Sequence, residues 1–88
     1  MVEVVLEWTA YAAPVQAEGT FDGLPIYFRA RWDHWSVGIG GSDPAGDPLW
    51  YYEEPYGKPD GYDASYMPQD EAHAFILAAI ERYRAEQA

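Results

Sequence analysis

Between Asp43 and Glu71 the chain sets eight acids, Asp43, Asp47, Glu53, Glu54, Asp60, Asp63, Asp70 and Glu71, against one base, Lys58. Trp50, Tyr51, Tyr52, Tyr56, Tyr62 and Tyr66 are interleaved with them. This mixture suits recognition more than catalysis. Carboxylates steer a basic partner and speed its encounter, and Tyr and Trp give large, fairly rigid contact area at low entropic cost. The candidate partner-binding residues are therefore Asp43, Asp47, Trp50, Tyr52, Glu53, Glu54, Tyr56, Asp60, Tyr62, Asp63 and Tyr66. A plainer reading has half of the aromatics covering a sheet and the acids forming a solvated rim. Six aromatics in one loop-rich segment exceed what a single short strand buries, which favours an interface.

The same acids make a poor metal site. Asp43 with Asp47, or Asp60 with Asp63, could offer oxygen to Ca²⁺, yet neither pair fits the alternating acidic loop with a terminal Glu that such sites use. Turn formation accounts for them better, so no metal and no cofactor is expected. Catalytic groups are equally sparse. His34 and His73 are far apart, the first in an expected hairpin turn and the second beside a helical apolar stripe. Ser36, Ser42 and Ser65 lack a nucleophile-elbow context, and Gly38, Gly40 and Gly41 lead into a loop and not a phosphate-binding helix. Glu53 and Glu54 point to opposite faces of a strand and cannot act as a dyad. A non-enzyme is expected.

Arg29 and Arg31 share one face of a hairpin in a chain with five bases. They are expected to pair with Glu3 and Glu7 on a neighbouring first strand. The sharper reading makes them an exposed cationic spot within an acidic field.

The elements that must position these groups read as follows. Alternation in VEVVLEWT predicts a strand over Val2 to Thr9, interrupted by Val5, which suggests cover on both faces. Val15 to Phe21 could add a short edge strand after a connector with Pro14. Leu24 to Gly40 reads as a hairpin: Ile26, Phe28, Ala30 and Trp32 lie on one face, the turn falls at Asp33-His34, and Trp35, Val37 and Ile39 resume the alternation. Gly40 to Pro48 is a loop, Leu49 to Glu54 a further strand, and Tyr56 to Tyr66 a surface loop. From Pro68 to Glu86, Ala72, Phe75, Ile76, Ala79, Ile80 and Tyr83 recur at helical spacing. Pro68 in the first turn, acids after it and Arg82 and Arg84 near the end suit the helix dipole. The expected architecture is α+β: a three- to four-stranded antiparallel sheet with one C-terminal amphipathic helix packed on one face.

Composition sets the outer bounds. The 88 residues suffice for a single domain spanning 1–88, and a 17% aromatic content supplies the dense core a small domain requires. Absent cysteine excludes disulfides and thiol chemistry and suits a cytoplasmic setting. The N-terminal stretch does not read as a signal peptide, and no apolar run approaches the length that spans a bilayer. A net charge of −10 disfavours direct binding to nucleic acid or anionic membranes and favours a basic protein. The leading expectation is an inhibitor that occludes a basic, nucleic-acid-binding effector or nuclease, working by the physics of small acidic phage and mobile-element inhibitors such as anti-CRISPR proteins. Its acids would stand in for phosphates as a DNA mimic does. The alternative is a structural or assembly subunit that homodimerises through its aromatic sheet face; the first reading leaves monomer or homodimer open.

Overall fold

The computed structural model describes residues 4–87. Strands β1 (Val4–Tyr11), β2 (Val15–Phe21), β3 (Leu24–Arg31), β4 (His34–Ile39) and β5 (Trp50–Pro55) precede a short 3-10 helix at Asp63–Tyr66 and helix α1 (Gln69–Gln87). The strands pair antiparallel in sequence order, so the sheet is a five-stranded meander. The α+β class stands, but the sheet has five strands where three to four are expected from the sequence. Val15–Phe21 is the reason: it lies inside the sheet, between β1 and β3, and not at an edge. Val15, Ala17 and Phe21 are buried on the helix-facing side, while Gly19 lets β1 approach closely, since a Cβ there would overlap the Val5 carbonyl.

Three further expectations change with this topology. Because β2 separates β1 from β3, Arg29 stands across from Gln16 and Ser36, and Glu7 from Glu18. The expected pairing of Arg29 and Arg31 with Glu7 is thus not formed, and Val2 and Glu3 lie outside the described residues. The β3–β4 turn comprises Trp32 and Asp33, since Arg31 pairs with His34. Trp32 therefore leaves the core face for the turn, with φ of 60°. Val5 is exposed and points to the open face, so β1 alternates regularly until a bulge between Trp8 and Ala10.

α1 covers one face of the sheet through the expected stripe. Ala72, Ile76, Ala79 and Ile80 are buried, with Phe75 and Tyr83 packed against the core. Trp35 is the hub: its ring stacks on Phe75 at 4.9 Å and lies 5.8 Å from Tyr52 and 6.1 Å from Phe28. Tyr83 joins β2 and β5 to the helix, meeting Phe21 and Trp50 edge-on at 5.9 and 5.5 Å. Such aromatic pairs add about 0.5–1.5 kcal/mol each beyond area burial. The Pro68 carbonyl accepts the Ala72 N–H at 3.0 Å, so the proline caps the first turn and the helix proper starts one residue later. Ala64 and Met67 seal the core at the end where the 3-10 helix crosses the sheet. Among the described residues, no helix is long and apolar enough to cross a membrane.

Among the described residues, no helix lies over the opposite sheet face. Antiparallel register lays its side chains out in rungs across β3, β4 and β5: Tyr27, Gly38 and Tyr51; then Arg29, Ser36 and Glu53; then Arg31, His34 and Pro55.

Candidate functional site

The structure divides the expected acid-and-tyrosine segment. Asp43 and Asp47 bridge each other in the β4–β5 loop, where the Asp43 carbonyl accepts the Asp47 N–H at 2.7 Å and its carboxylate accepts the Ala45 N–H at 3.2 Å. Asp60 and Asp63 lie beyond the other end of the same hairpin, on the loop that follows β5 and at the start of the 3-10 helix. The length of β4 alone separates these ends by about 17 Å. Glu53 faces the open side of the sheet and Glu54 the helix side. Trp50, Tyr52 and Tyr56 turn toward the helix and are packed on the core. Their polar tips reach carboxylates: Trp50 Nε1 donates to Glu86 at 3.1 Å, the Tyr52 hydroxyl to Glu54, and the Tyr56 hydroxyl to Glu71 at 2.8 Å. Tyr62 and Tyr66 remain exposed.

Those hydrogen bonds alter proton affinity. The bond to Glu54, with partial burial, raises the Tyr52 pKa. Burial, then the bond to Glu71, raises that of Tyr56. Both phenols thus stay protonated donors that tie sheet to acid. Arg82 lies 4.3 Å above the Tyr52 ring and completes a cation–π contact there.

Two hollows meet at the β3–β4 turn, with Trp32 on both. The smaller, about 140 Å³, is formed by Trp32, Asp33, Asp60, Gly61 and Tyr62. Its floor is fixed by backbone bonds: the Asp60 N–H donates to the Asp33 carboxylate at 2.9 Å, and the Tyr56 N–H to the Asp33 carbonyl at 2.7 Å. The Asp60 N–H, then the His34 ring, lower the Asp33 pKa and hold its carboxylate ionised. A negative cup between two exposed aromatic rings suits a cationic side chain.

The larger hollow is a furrow of about 370 Å³ on the open face. Arg29, Arg31, His34 and Ser36 form its floor, while Tyr27, Tyr51 and Trp32 stand around them. Pro44 and Ala45 of the β4–β5 loop close one side. That wall requires glycine at position 38, where a Cβ would overlap the Pro44 carbonyl oxygen. At the far end Trp32 is 52% exposed, with Arg31 5.1 Å over its ring. Its left-handed backbone costs about 1–2 kcal/mol for a residue with a side chain. Ser65 and Ala64 hold it there: Trp32 N–H donates to Ser65 Oγ at 2.8 Å, and Ala64 N–H to the Trp32 carbonyl at 2.9 Å.

Sequence reasoning noted the shared face of Arg29 and Arg31 but not the residues that join them. Trp32 was hidden by a turn placed one residue late. Tyr51 and Ser36 could be placed beside Tyr27 and Arg29 only once the β4–β5 register is known. Among the described residues, no group of three or more His, Asp or Glu side chains is placed to hold a metal ion. No protein-family model matches the chain, nor does any curated protein or solved structure.

Proposed function

We propose that this is a non-catalytic acidic protein that binds a basic partner protein, one that itself handles nucleic acid, and blocks it. One observation carries the reading: among the described residues, none of the acids from Asp43 to Glu71 forms an ion pair. Their charge is not neutralised within the chain and stays available to a cationic surface. The cup of Trp32, Asp33, Asp60 and Tyr62 supports the same reading, as a receptacle for one lysine or arginine of that partner. Asp43, Asp47 and Glu53 extend the acidic field along the β5 side of the sheet, so a partner would meet acids at both ends of one hairpin. Steering of this kind weakens with salt, because the screening length falls from about 10 Å at 0.1 M to about 3 Å at 1 M.

The test is capture from a nuclease-treated lysate on the immobilised protein, with elution by rising salt. Basic, nucleic-acid-binding proteins should be retained and released by salt, and Asp60→Asn with Asp63→Asn should lower their retention while leaving the fold intact. Retention of neutral or acidic proteins alone, unaffected by salt, overturns the reading.

A further inference from the structure

We propose that the furrow on the open sheet face binds a small organic anion, a phosphate monoester or carboxylate joined to a flat ring. Arg29 and Arg31 hold the anionic group, and Tyr27, Trp32 and Tyr51 flank the ring. The furrow is a separate hollow from the acidic cup assigned to a basic partner, although Trp32 borders both and Glu53 shares the open face.

Charge is the first argument. The chain has five Lys and Arg against fifteen acids, yet two of those five stand side by side on one face without an ion pair among the described residues. Glu18 and Glu53 share that face, across from Tyr27 and Ser36, and neither forms an ion pair with the arginines. Arg29 Nε is buried and has no acceptor among the protein atoms. That atom is covered by protein, so an anion in the furrow would meet the rest of the Arg29 guanidinium, which lines the hollow.

Geometry is the second. Arg29 and Ser36 share one rung and Arg31 and His34 the next, so two cations, a hydroxyl and an imidazole converge over neighbouring positions of a paired sheet. Asp33 holds the His34 ring through Nδ1 at 3.3 Å. The volume of about 370 Å³ fits a single ring with its anionic group, within the range of roughly 300–1,000 Å³ usual for small-molecule sites. Aromatic rings on both sides and a Trp32 backbone held by Ser65 lower the ordering cost when a ring enters.

Charge also decides the size of the occupant. A polyanion would meet the field of the whole chain, at −10, and be repelled. A ligand with one or two charges needs only the local field of the furrow. That excludes nucleic acid and acidic protein surfaces in favour of a small molecule.

Phenyl phosphate, benzoate, inorganic phosphate and benzyl alcohol are the probes, followed by tryptophan fluorescence and amide chemical shifts of the full chain. Phenyl phosphate or benzoate should quench fluorescence and move the amides of Arg29, Trp32 and Ser36; whichever binds tighter identifies the anionic group. Inorganic phosphate should bind more weakly and benzyl alcohol not at all. Arg31→Gln, at an exposed position outside the core, should weaken binding about tenfold or more with thermal stability unchanged. Arg29→Gln should do the same; should that half-buried position disturb the sheet, Arg31→Gln at the exposed position decides. Absence of binding at millimolar probe, shifts confined to other surfaces, undiminished affinity in Arg31→Gln, or binding of an oligoglutamate peptide in place of the aromatic anions would each overturn the proposal.

Discussion

Ser65→Ala isolates the bond that fixes the exposed tryptophan. Ser65 is 3% exposed, and its hydroxyl accepts the Trp32 N–H across 33 positions of sequence. Alanine removes the acceptor and adds no bulk. The lost bond contributes about 1 kcal/mol, and a donor left without a partner in a partly buried turn brings the loss to about 1–3 kcal/mol. In a domain of this size each kcal/mol lowers Tm by roughly 4–8 °C, so a fall of about 8–16 °C corresponds to the middle of that range. Chemical denaturation with an unchanged m-value gives the free energy directly. Hydrogen exchange then locates the effect, since the Trp32 amide should lose protection while the amides of the β4–β5 ladder keep theirs. A loss under about 0.5 kcal/mol with Trp32 still protected would mean that Ser65 does not hold the turn. The left-handed geometry of Trp32 would then need another cause.

Ile76→Ala removes a fully buried side chain between helix and sheet and should cost about 2–5 kcal/mol in urea unfolding. Gly19→Ala places a Cβ against the Val5 carbonyl, which should cost about 1–3 kcal/mol and free the β1 amides to exchange before those of β3. Tyr27, Tyr52 and Tyr56 all have pKa values raised above the ordinary 10.0. The folded chain thus holds these protons longer than the unfolded one, and its stability, complete below pH 10.0, should fall as pH rises through the raised values. A phenolate absorbance titration should show these tyrosines ionising above pH 10.0, and Glu71→Gln should lower the Tyr56 pKa in part, since burial remains. Asp33 carries the opposite sign: its lowered pKa gives stability present above the ordinary value and lost as pH falls through the folded one. The acid limb of a stability profile should flatten in Asp33→Asn.

The helix was legible because burial leaves a 3.6-residue signature that no other element imitates: of the residues the period selects, Ala72, Ile76, Ala79 and Ile80 are buried and Phe75 and Tyr83 are half-buried against the core. The inner face of β3 and β4 was legible for the same reason at period two. Less visible was β2, whose Gln16, Glu18 and Thr20 resemble a connector until Asp22-Gly23 is read as a two-residue hairpin turn. Both residues have positive φ, at 49° and 83°, and Asp-Gly is a strong sequence signal for that geometry. Without that turn β1 falls beside β3, and Arg29 and Arg31 face Glu7 where the structure sets β2 between them. The acids show a limit of a different kind. Asp43 and Asp60 are close in sequence, yet the intervening hairpin strand carries them to opposite ends of the sheet. Local composition therefore registers their number and not their separation.

Gly38 makes the furrow a two-part construction. One part is a hydrogen-bonded floor shared with the core on its reverse side. The other is a loop whose own turn, around Asp43, is closed by internal bonds. The loop rests on the floor at a position with no side chain to interlock. Its length and residues can therefore be exchanged while Trp35, Val37 and Ile39 keep their packing on the helix side. For an engineer this is a scaffold with one variable wall: loop libraries from Ser42 to Asp47 would vary which rings the furrow admits, while the paired arginines keep its demand for negative charge.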